Sequence, residues 1–351
     1  MKKLLLLLFV FILSFSLASC NENSSSSSTL QNESSVSNTS TPSSSEVLED
    51  IDIDVFAPNG APAFSQALMA KDESNLLPSN FNLTATGVDG STLPAQFTAG
   101  TAEFIFAPSN LGAKLYNADK DAAKYVYAAN VTFGNLYLAT SLDDSDFTLS
   151  DLEGQQLTTF GEGTVVDFML QKVLDDNNIT VSSFDFKGSV QEVAPLALKG
   201  TADYYLLAEP VVSVVKANLA AQGKTLKTIS IQDELKKLNS SAFANGFSQA
   251  GVFVNKEFLA TNKEAVDTYL AALKISCDAC NDSTQISSVA SAVSELEYAG
   301  TVPQAVLEVA ISKCGIKYLS AKESKECFIA TYEDNLTAIG GMIPDEGFFA
   351  I

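Results

Sequence analysis

The sequence predicts an α/β fold made of two similar lobes. From Ile51 onward, apolar segments of strand length alternate with segments of helical periodicity, which is the pattern of helices packed on a mostly parallel sheet. In addition, Gly100-Thr101-Ala102-Glu103-Phe104 is echoed by Gly200-Thr201-Ala202-Asp203-Tyr204. Each segment reads as a glycine helix stop followed by a buried strand that ends at a proline loop. The echo indicates a repeated lobe, and the alternative is a chance match of two short segments.

The individual elements follow from two periodicities. Ile51, Ile53 and Val55 alternate with acidic residues as in a half-buried strand, whereas the run from Phe104 to Ala107 is apolar on both faces, as in a central parallel strand. We predict strands at 51–55, 81–86, 104–107, 137–140, 156–160, 184–186, 204–208 and 251–254, with residues 193–198 continuing the alternation. Helical spacing predicts helices at 63–71, 93–99, 165–174, 263–273, 287–296, 303–311 and 323–336.

The N-terminal segment has the order of a secretory signal. Lys2 and Lys3 precede an apolar run at 4–13, and Leu17-Ala18-Ser19-Cys20 resembles the lipobox that lipoprotein signal peptidase cuts. We therefore predict a lipoprotein signal peptide at 1–19 and a membrane anchor of palmitate-type acyl chains on Cys20. The alternative is an ordinary cleaved signal in which Cys20 is incidental. Because residues 21–45 contain twelve serines and three threonines, we expect a disordered tether at 20–49.

Composition excludes several functions. The chain has a formal charge of −21, which becomes −23 when Lys2 and Lys3 leave with the signal, so nucleic acid is not expected as a partner. It contains no histidine, arginine or tryptophan. A catalytic Ser-His-Asp or Cys-His pair, an imidazole metal site and guanidinium recognition of phosphate are therefore impossible. We predict that the protein is not an enzyme and carries no cofactor or metal.

The remaining cysteines lie in the C-terminal third. Outside the cell, sequence proximity favours disulfides between Cys277 and Cys280 and between Cys314 and Cys327. Two alternatives stay open: a Cys₄ zinc site, which lacks a second Cys-x-x-Cys motif, and redox catalysis, for which this motif stands in the wrong context.

Three other segments carry possible chemistry. Gly161-Glu162-Gly163-Thr164 lacks the third glycine of a dinucleotide loop and the lysine of a P-loop, so it is either a turn whose N–H groups bind a polar ligand or a simple connection. Gly246-Phe247-Ser248-Gln249-Ala250 resembles a nucleophile elbow but has no base to activate the serine. Asp143-Asp144-Ser145-Asp146 is interpreted as a solvated loop, with calcium binding as the less favoured reading.

Several short stretches, in this order, resemble the substrate-binding proteins of ABC importers, in the group that binds nitrate, sulfonates, taurine and thiamine precursors. The stretches are 55–63 (VFAPNGAPA), 106–113 (FAPSNLGA), 161–164 (GEGT), 206–210 (LLAEP) and the tail at 335–349. The resemblance implies a type II periplasmic-binding-protein fold with lobe 1 at 50–138 plus 248–351 and lobe 2 at 139–247, joined by two crossover strands near Tyr137 and Val252. Ligands in such open α/β sheets lie beyond the carboxyl ends of the strands.

The resemblance also implies a ligand site between the lobes. Its residues would be Gly60, Ala61, Pro62, Pro108, Ser109, Asn110, Gly161, Glu162, Gly163, Thr164 and Glu209. Phe64, Phe133, Phe160 or Tyr204 would stack on a ring or belong to the core.

The function implied by the resemblance is capture of a small solute by a monomer on the extracytoplasmic face of the cell membrane. The partners would be an ABC permease and its ATPase. Because the chain is acidic and lacks arginine, we favour a neutral or cationic heterocycle such as a thiamine precursor over sulfonate, nitrate or taurine. Two alternatives are a surface adhesin or antigen that has lost transport, and a thiamine-pyrimidine enzyme of the same fold, which would need the missing histidine.

Overall fold

The computed structural model describes residues 49–71, 75–142, 146–296 and 302–349. The predicted signal peptide, the anchor at Cys20 and nearly all of the tether lie outside these residues, as does most of the acidic cluster at 143–146. Within the described ranges, no helix combines the length and the apolar character that crossing a bilayer requires.

Strands and helices alternate along most of the chain. The strands are β1 (Ile51–Pro58), β2 (Phe81–Val88), β3 (Phe104–Pro108), β4 (Tyr125–Thr132), β5 (Leu136–Thr140), β6 (Gln156–Phe160), β7 (Ser183–Lys187), β8 (Tyr204–Ala208), β9 (Lys227–Ser230), β10 (Ala250–Asn255) and β11 (Ile316–Ser320). The α-helices are α1 (Ala61–Phe64), α2 (Leu93–Ala99), α3 (Ser109–Ala118), α4 (Val165–Asp176), α5 (Val190–Lys199), α6 (Val211–Ala220), α7 (Ile231–Leu238), α8 (Lys256–Thr261), α9 (Lys263–Ala279), α10 (Ile286–Glu295), α11 (Gln304–Ala310) and α12 (Ala321–Tyr332).

The described strands form two separate sheets. The first sheet has the order β11-β4-β10-β3-β1-β2, and the second has the order β7-β6-β8-β5-β9. In the first sheet β1 pairs in parallel with both β2 and β3, whereas β10 runs antiparallel between β3 and β4. In the second sheet β6 pairs in parallel with β7 and β8, and β5 runs antiparallel to β8. Each sheet is therefore a parallel α/β unit completed by antiparallel strands.

The chain passes between the two sheets twice. It leaves the first sheet through residues 133–135, between β4 and β5, and returns through residues 239–249, between α7 and β10. These two crossings adjoin Tyr137 and Val252, the positions predicted to join the lobes. The lobe boundaries in sequence stay predictions.

Aromatic packing between sheet and helices makes the core of the first sheet. Phe104 on β3 is fully buried, and its ring stacks on Tyr269 of α9 with centroids 4.0 Å apart. Tyr127 on β4 stacks on Phe348 near the chain end, at 5.3 Å. Burial of such rings removes a large apolar area from water, and it ties Phe348 to β4 of the first sheet.

The structure corrects several predicted elements. The helix predicted at 63–71 ends at Phe64, because the Ser65 hydroxyl donates to the Pro62 carbonyl and the next N–H groups, those of Gln66 and Ala67, bond three residues back. The helix predicted at 323–336 ends at Tyr332 and is followed by a 3₁₀ turn at Leu336–Ile339. Strand β4 was not predicted, although all eight of its residues are buried.

Candidate functional site

The predicted ligand loops follow four strands that are neighbours in pairs. β1 and β3 lie side by side and parallel, with Val55 opposite Phe104, so the loops after Pro58 and Pro108 emerge at one edge of the first sheet. β6 and β8 are parallel neighbours in the second sheet, with Thr158 opposite Tyr205. The loops at 161–164 and at Glu209 therefore emerge together as well.

A chain of hydrogen bonds connects the two sheet edges through the crossings. The Ser109 N–H donates to the Gln249 carbonyl at 3.1 Å, and Gln249 Nε2 donates to Asn135 Oδ1 at 3.0 Å. Asn135 Nδ2 in turn donates to the Glu209 carbonyl at 2.9 Å, and the Glu209 N–H donates back to the Asn135 carbonyl at 2.9 Å. The ends of β3 and β8 are thus linked by only two intervening residues.

The first loop leaves open space beside Gly60. Gly60 has a φ of 101°, in the region that favours glycine, and a Cβ built there would meet nothing within 4 Å. Ala61 and Pro62 follow as the first residues of α1, with Ala61 buried and Pro62 half-buried. Phe64 and Phe133 are core residues, because at most 1% of either is exposed; Phe160 is half-buried at the end of β6.

Ser109 is an internal residue. Its Oγ donates to the Ser248 carbonyl at 2.8 Å and lies 2.8 Å from the Tyr332 hydroxyl. Burial raises the pKa of Tyr332, so this phenol stays protonated. The Ser109 hydroxyl therefore holds the end of β3 from inside the sheet, whereas the next residue, Asn110, is half-buried with an Oδ1 that has no hydrogen-bond partner among the described residues.

The turn at 161–164 is closed by its own residues. The Thr164 hydroxyl donates to the Gly161 carbonyl at 2.6 Å and accepts from the Val166 N–H, which caps α4. The Gly163 N–H donates to Asp167 Oδ2 at 3.0 Å, and the Thr164 N–H donates to Gly161. A helix N-terminus is a general anion site. Here, the Asp167 carboxylate of the same helix already accepts from the Gly163 N–H group.

The backbone of Glu209 bonds to Asn135 in the crossing, whereas its carboxylate is buried. The residue is 4% exposed, with Oε2 accepting from the Ser213 N–H at 3.0 Å and Oε1 from the Ser213 hydroxyl at 2.9 Å. Burial raises the pKa of Glu209, and the hydrogen bonds from Ser213 and the charges of Lys313 and Lys216 offset part of this rise.

Comparison with known proteins assigns the family. The family model described as NMT1/THI5 like matches residues 88–284, which is more than half of the chain. The chain belongs to this family. No curated protein sequence matches it.

The NMT1/THI5-like chain shares its fold with solved periplasmic binding proteins. An ABC transporter protein from Parabacteroides distasonis is 21% identical with a TM-score of 0.67, over 85% of this chain and 98% of that one. The alkanesulfonate-binding protein SsuA from Xanthomonas axonopodis pv. citri, bound to MOPS, is 15% identical with a TM-score of 0.57, over 85% and 96%. The aliphatic sulphonate binding protein SsuA from Escherichia coli is 12% identical with a TM-score of 0.60, over 81% and 88%. The predicted fold class is confirmed.

The cysteines of this NMT1/THI5-like chain correct the predicted disulfides. Cys277, Cys280, Cys314 and Cys327 are all free and buried, so neither predicted pair is formed. The thiols of Cys314 and Cys327 donate to backbone carbonyls of Ala310 and Gly246. Burial raises the pKa of all four thiols, to about 12 for Cys280 and Cys327, which makes them poor nucleophiles. The described residues contain no group of three or more cysteine or acidic side chains placed to hold a metal.

Sequence reasoning missed Asn135 and Gln249, which connect the two sheets. Both precede an apolar strand directly, as the single amide residue between Gly134 and β5 and between Ser248 and β10. A polar amide at the point where a chain changes sheet is a usable signal, since a buried amide needs partners that only another segment supplies. Cavities elsewhere in the described residues include one of about 340 Å³ beside Tyr116 and one of about 310 Å³ between α6 and α11.

Proposed function

We propose that this protein is the extracytoplasmic solute-binding component of an ABC importer, held to the cell membrane by lipid on Cys20. It captures a small nutrient between its two lobes and delivers the solute to a membrane permease and its ATPase. The binding residues are those of the strand-end loops at 60–62, 108–110, 161–164 and Glu209.

The observation that carries this proposal is the hydrogen-bonded bridge from Ser109 to Glu209. It brings the ends of β3 and β8 together at the point where the chain crosses between the sheets. Ligands of open α/β sheets bind at the carboxyl ends of strands, and two sheets joined by short crossings can close around such a ligand by hinge motion. Membership of the NMT1/THI5-like family and the likeness to periplasmic sulfonate-binding proteins support the same role.

A heterocyclic nutrient such as a thiamine precursor fits these loops better than an oxyanion does. The Gly163 N–H, which an oxyanion would need at the start of α4, already donates to Asp167. The chain also has no arginine and a formal charge of −21, so an anion would meet an unfavourable field. A neutral or cationic ring would avoid both the competition for the Gly163 N–H and the unfavourable field.

Thermal-shift measurements on the purified mature domain test the proposal. We expect at least one compound from a set of pyrimidines, thiamine, taurine, alkanesulfonates and nitrate to raise the melting temperature in a concentration-dependent way. A response to pyrimidines or thiamine would support a heterocyclic solute. A response to sulfonates or nitrate alone would still support solute transport, but it would favour an oxyanion over a heterocycle. No response to any compound would count against solute capture and favour an adhesin.

A further inference from the structure

Lys172 forms an ion pair that joins the two sheets outside the crossings. Its Nζ lies 2.8 Å from Oδ2 of Asp334, a residue 162 positions further along the chain. Lys172 is on α4, which follows β6 of the second sheet, whereas Asp334 comes just after α12, which packs on β4 and β11 of the first sheet. Every other described ion pair joins two residues on the same side of the crossings. A relative motion of the two sheets would therefore act on this ion pair.

A groove of about 310 Å³ separates α4 from α12 beside the ion pair. Its walls include Lys172 and Asp176 of α4, Ala330 of α12, and Asn239 and Phe243 of the second crossing. Because the groove borders a crossing, a hinge rotation of one sheet relative to the other would change its width. The distance between the Lys172 ammonium group and the Asp334 carboxylate would change with that rotation.

Lys172 has a second partner on its own helix. Its Nζ lies 3.3 Å from Oδ2 of Asp176, one helical turn further along α4. When the two helices move apart, Lys172 therefore loses Asp334 and keeps Asp176. The Asp334 side chain is 71% exposed and that of Lys172 is 23% exposed. Such an exposed pair favours one arrangement over another by a factor of about 5 at most, so it holds the sheets reversibly.

Resting on the proposed function, we propose that Lys172 and Asp334 form an electrostatic latch between the two lobes. The latch favours the described arrangement of the sheets over one in which α4 and α12 lie farther apart. It thereby sets how the ligand-free protein divides between the two arrangements, and the affinity for a solute that binds only one of them changes by the same factor. Because salt screens exposed charges, solute affinity would depend on ionic strength even for an uncharged solute.

Asp334→Asn tests the latch, and Asp176→Asn is its matched control. Both substitutions neutralise a carboxylate that is paired with Lys172, and both change the net charge by the same amount. Only Asp334→Asn removes the attraction between the two sheets, because Asp176 lies on the same helix as Lys172. A difference between the two variants therefore reports on the latch and not on the charge of Lys172 or of the chain.

Pulsed EPR distances between two spin labels measure the arrangement of the sheets without any solute. Lys199→Cys on α5 and Lys322→Cys on α12 put one label on each side of the crossings, at exposed positions. The protein is produced from residue 21, so that Cys20 takes no label and the described residues, which form one compact unit, are all kept. The native cysteines of this unit are buried and their thiols have raised pKa values, so they should not react with the label.

The expected result is a redistribution of distances in one variant only. At low salt, Asp334→Asn should lower the population of the main wild-type distance relative to longer ones by a factor between about 1.5 and about 5, whereas Asp176→Asn should keep it. Raising the salt from about 0.01 M to about 1 M shortens the screening length from about 30 Å to about 3 Å. This change should move the wild type toward Asp334→Asn and leave Asp334→Asn as it was.

The outcomes separate the latch from solute capture. An unchanged distribution in Asp334→Asn, or an equal change in Asp176→Asn, would overturn the latch and leave the proposed function standing, because the measurement needs no solute. The expected distances together with a negative nutrient screen would instead remove solute capture, and with it the effect on affinity. Where the screen identifies a solute, its affinity should change in Asp334→Asn by the factor that the distances give, and an unchanged affinity would overturn the regulatory role.

Discussion

The ends of the neighbouring strands β6 and β8 are held in place by different means. The turn at 161–164 is exposed and is closed by bonds that span four residues or fewer, from Thr164 to Gly161 and from Gly163 to Asp167. Glu209 at the end of β8 is buried, and its backbone is held by Asn135, which is 74 residues away in sequence. The turn after β6 is therefore held by local bonds, whereas the end of β8 depends on the crossings being assembled.

The largest expected effect comes from disturbing the crossings. Gly246 has a φ of 102°, and a Cβ at this position would lie 1.7 Å from the Phe133 carbonyl oxygen, in the other crossing. Because a backbone atom cannot yield as a side chain does, we expect Gly246→Ala to lower the free energy of unfolding by more than about 3 kcal/mol. Urea denaturation measures this loss.

Gly223→Ala is the matched control for that variant. Gly223 also has a positive φ, 72°, but a Cβ there would meet nothing within 4 Å. Its substitution should cost only the conformational strain, about 1 kcal/mol. Equal losses in the two variants would show that the crossings are not packed as described.

The second effect concerns Glu209 and depends on pH. Burial raises the pKa of this carboxyl, so the folded protein binds its proton more tightly than the unfolded chain does. The contribution of Glu209 to stability is therefore greatest at low pH, and it falls as the pH rises from near the ordinary value of 4.5 through the raised pKa. We expect Glu209→Gln to remove this fall, a change of less than about 1.4 kcal/mol per pH unit because a single proton is involved.

Urea denaturation of wild type and Glu209→Gln across pH 4 to 8 checks the sign. The stability of the wild type relative to the variant should decrease toward higher pH. An increase toward higher pH would mean that the Ser213 hydrogen bonds and the lysine charges outweigh burial, and that Glu209 is held as a paired carboxylate.

The sequence predicts elements that neighbouring residues determine, but not contacts with residues that are distant in the sequence. Strand β8 was predicted with its observed bounds, 204–208, because apolar residues on both faces and a glycine stop are local signals. The turn at 161–164 was located for the same reason. The burial of the Ser109 hydroxyl could not be foreseen, since its partners Ser248 and Tyr332 lie more than 130 residues away. Strand β4 was missed because Ala128-Ala129-Asn130 interrupts its apolar pattern, and the Asn130 amide is satisfied by Tyr127 and Thr132.

The smallest expected effect tests the self-contained turn. Thr164→Ala removes both the hydrogen bond to the Gly161 carbonyl and the cap on the Val166 N–H, and we expect a loss of about 1 kcal/mol, the usual cost of an N-cap. Thr164→Ser keeps the hydroxyl and should behave as wild type in the same urea titration. Because the described bonds of Thr164 stay within the turn and the first residues of α4, its substitution should add to the Gly246→Ala loss without coupling. A coupling larger than about 0.5 kcal/mol in the double variant would mean that the turn at 161–164 also depends on the crossings. The ends of β6 and β8 would then not differ in how they are held.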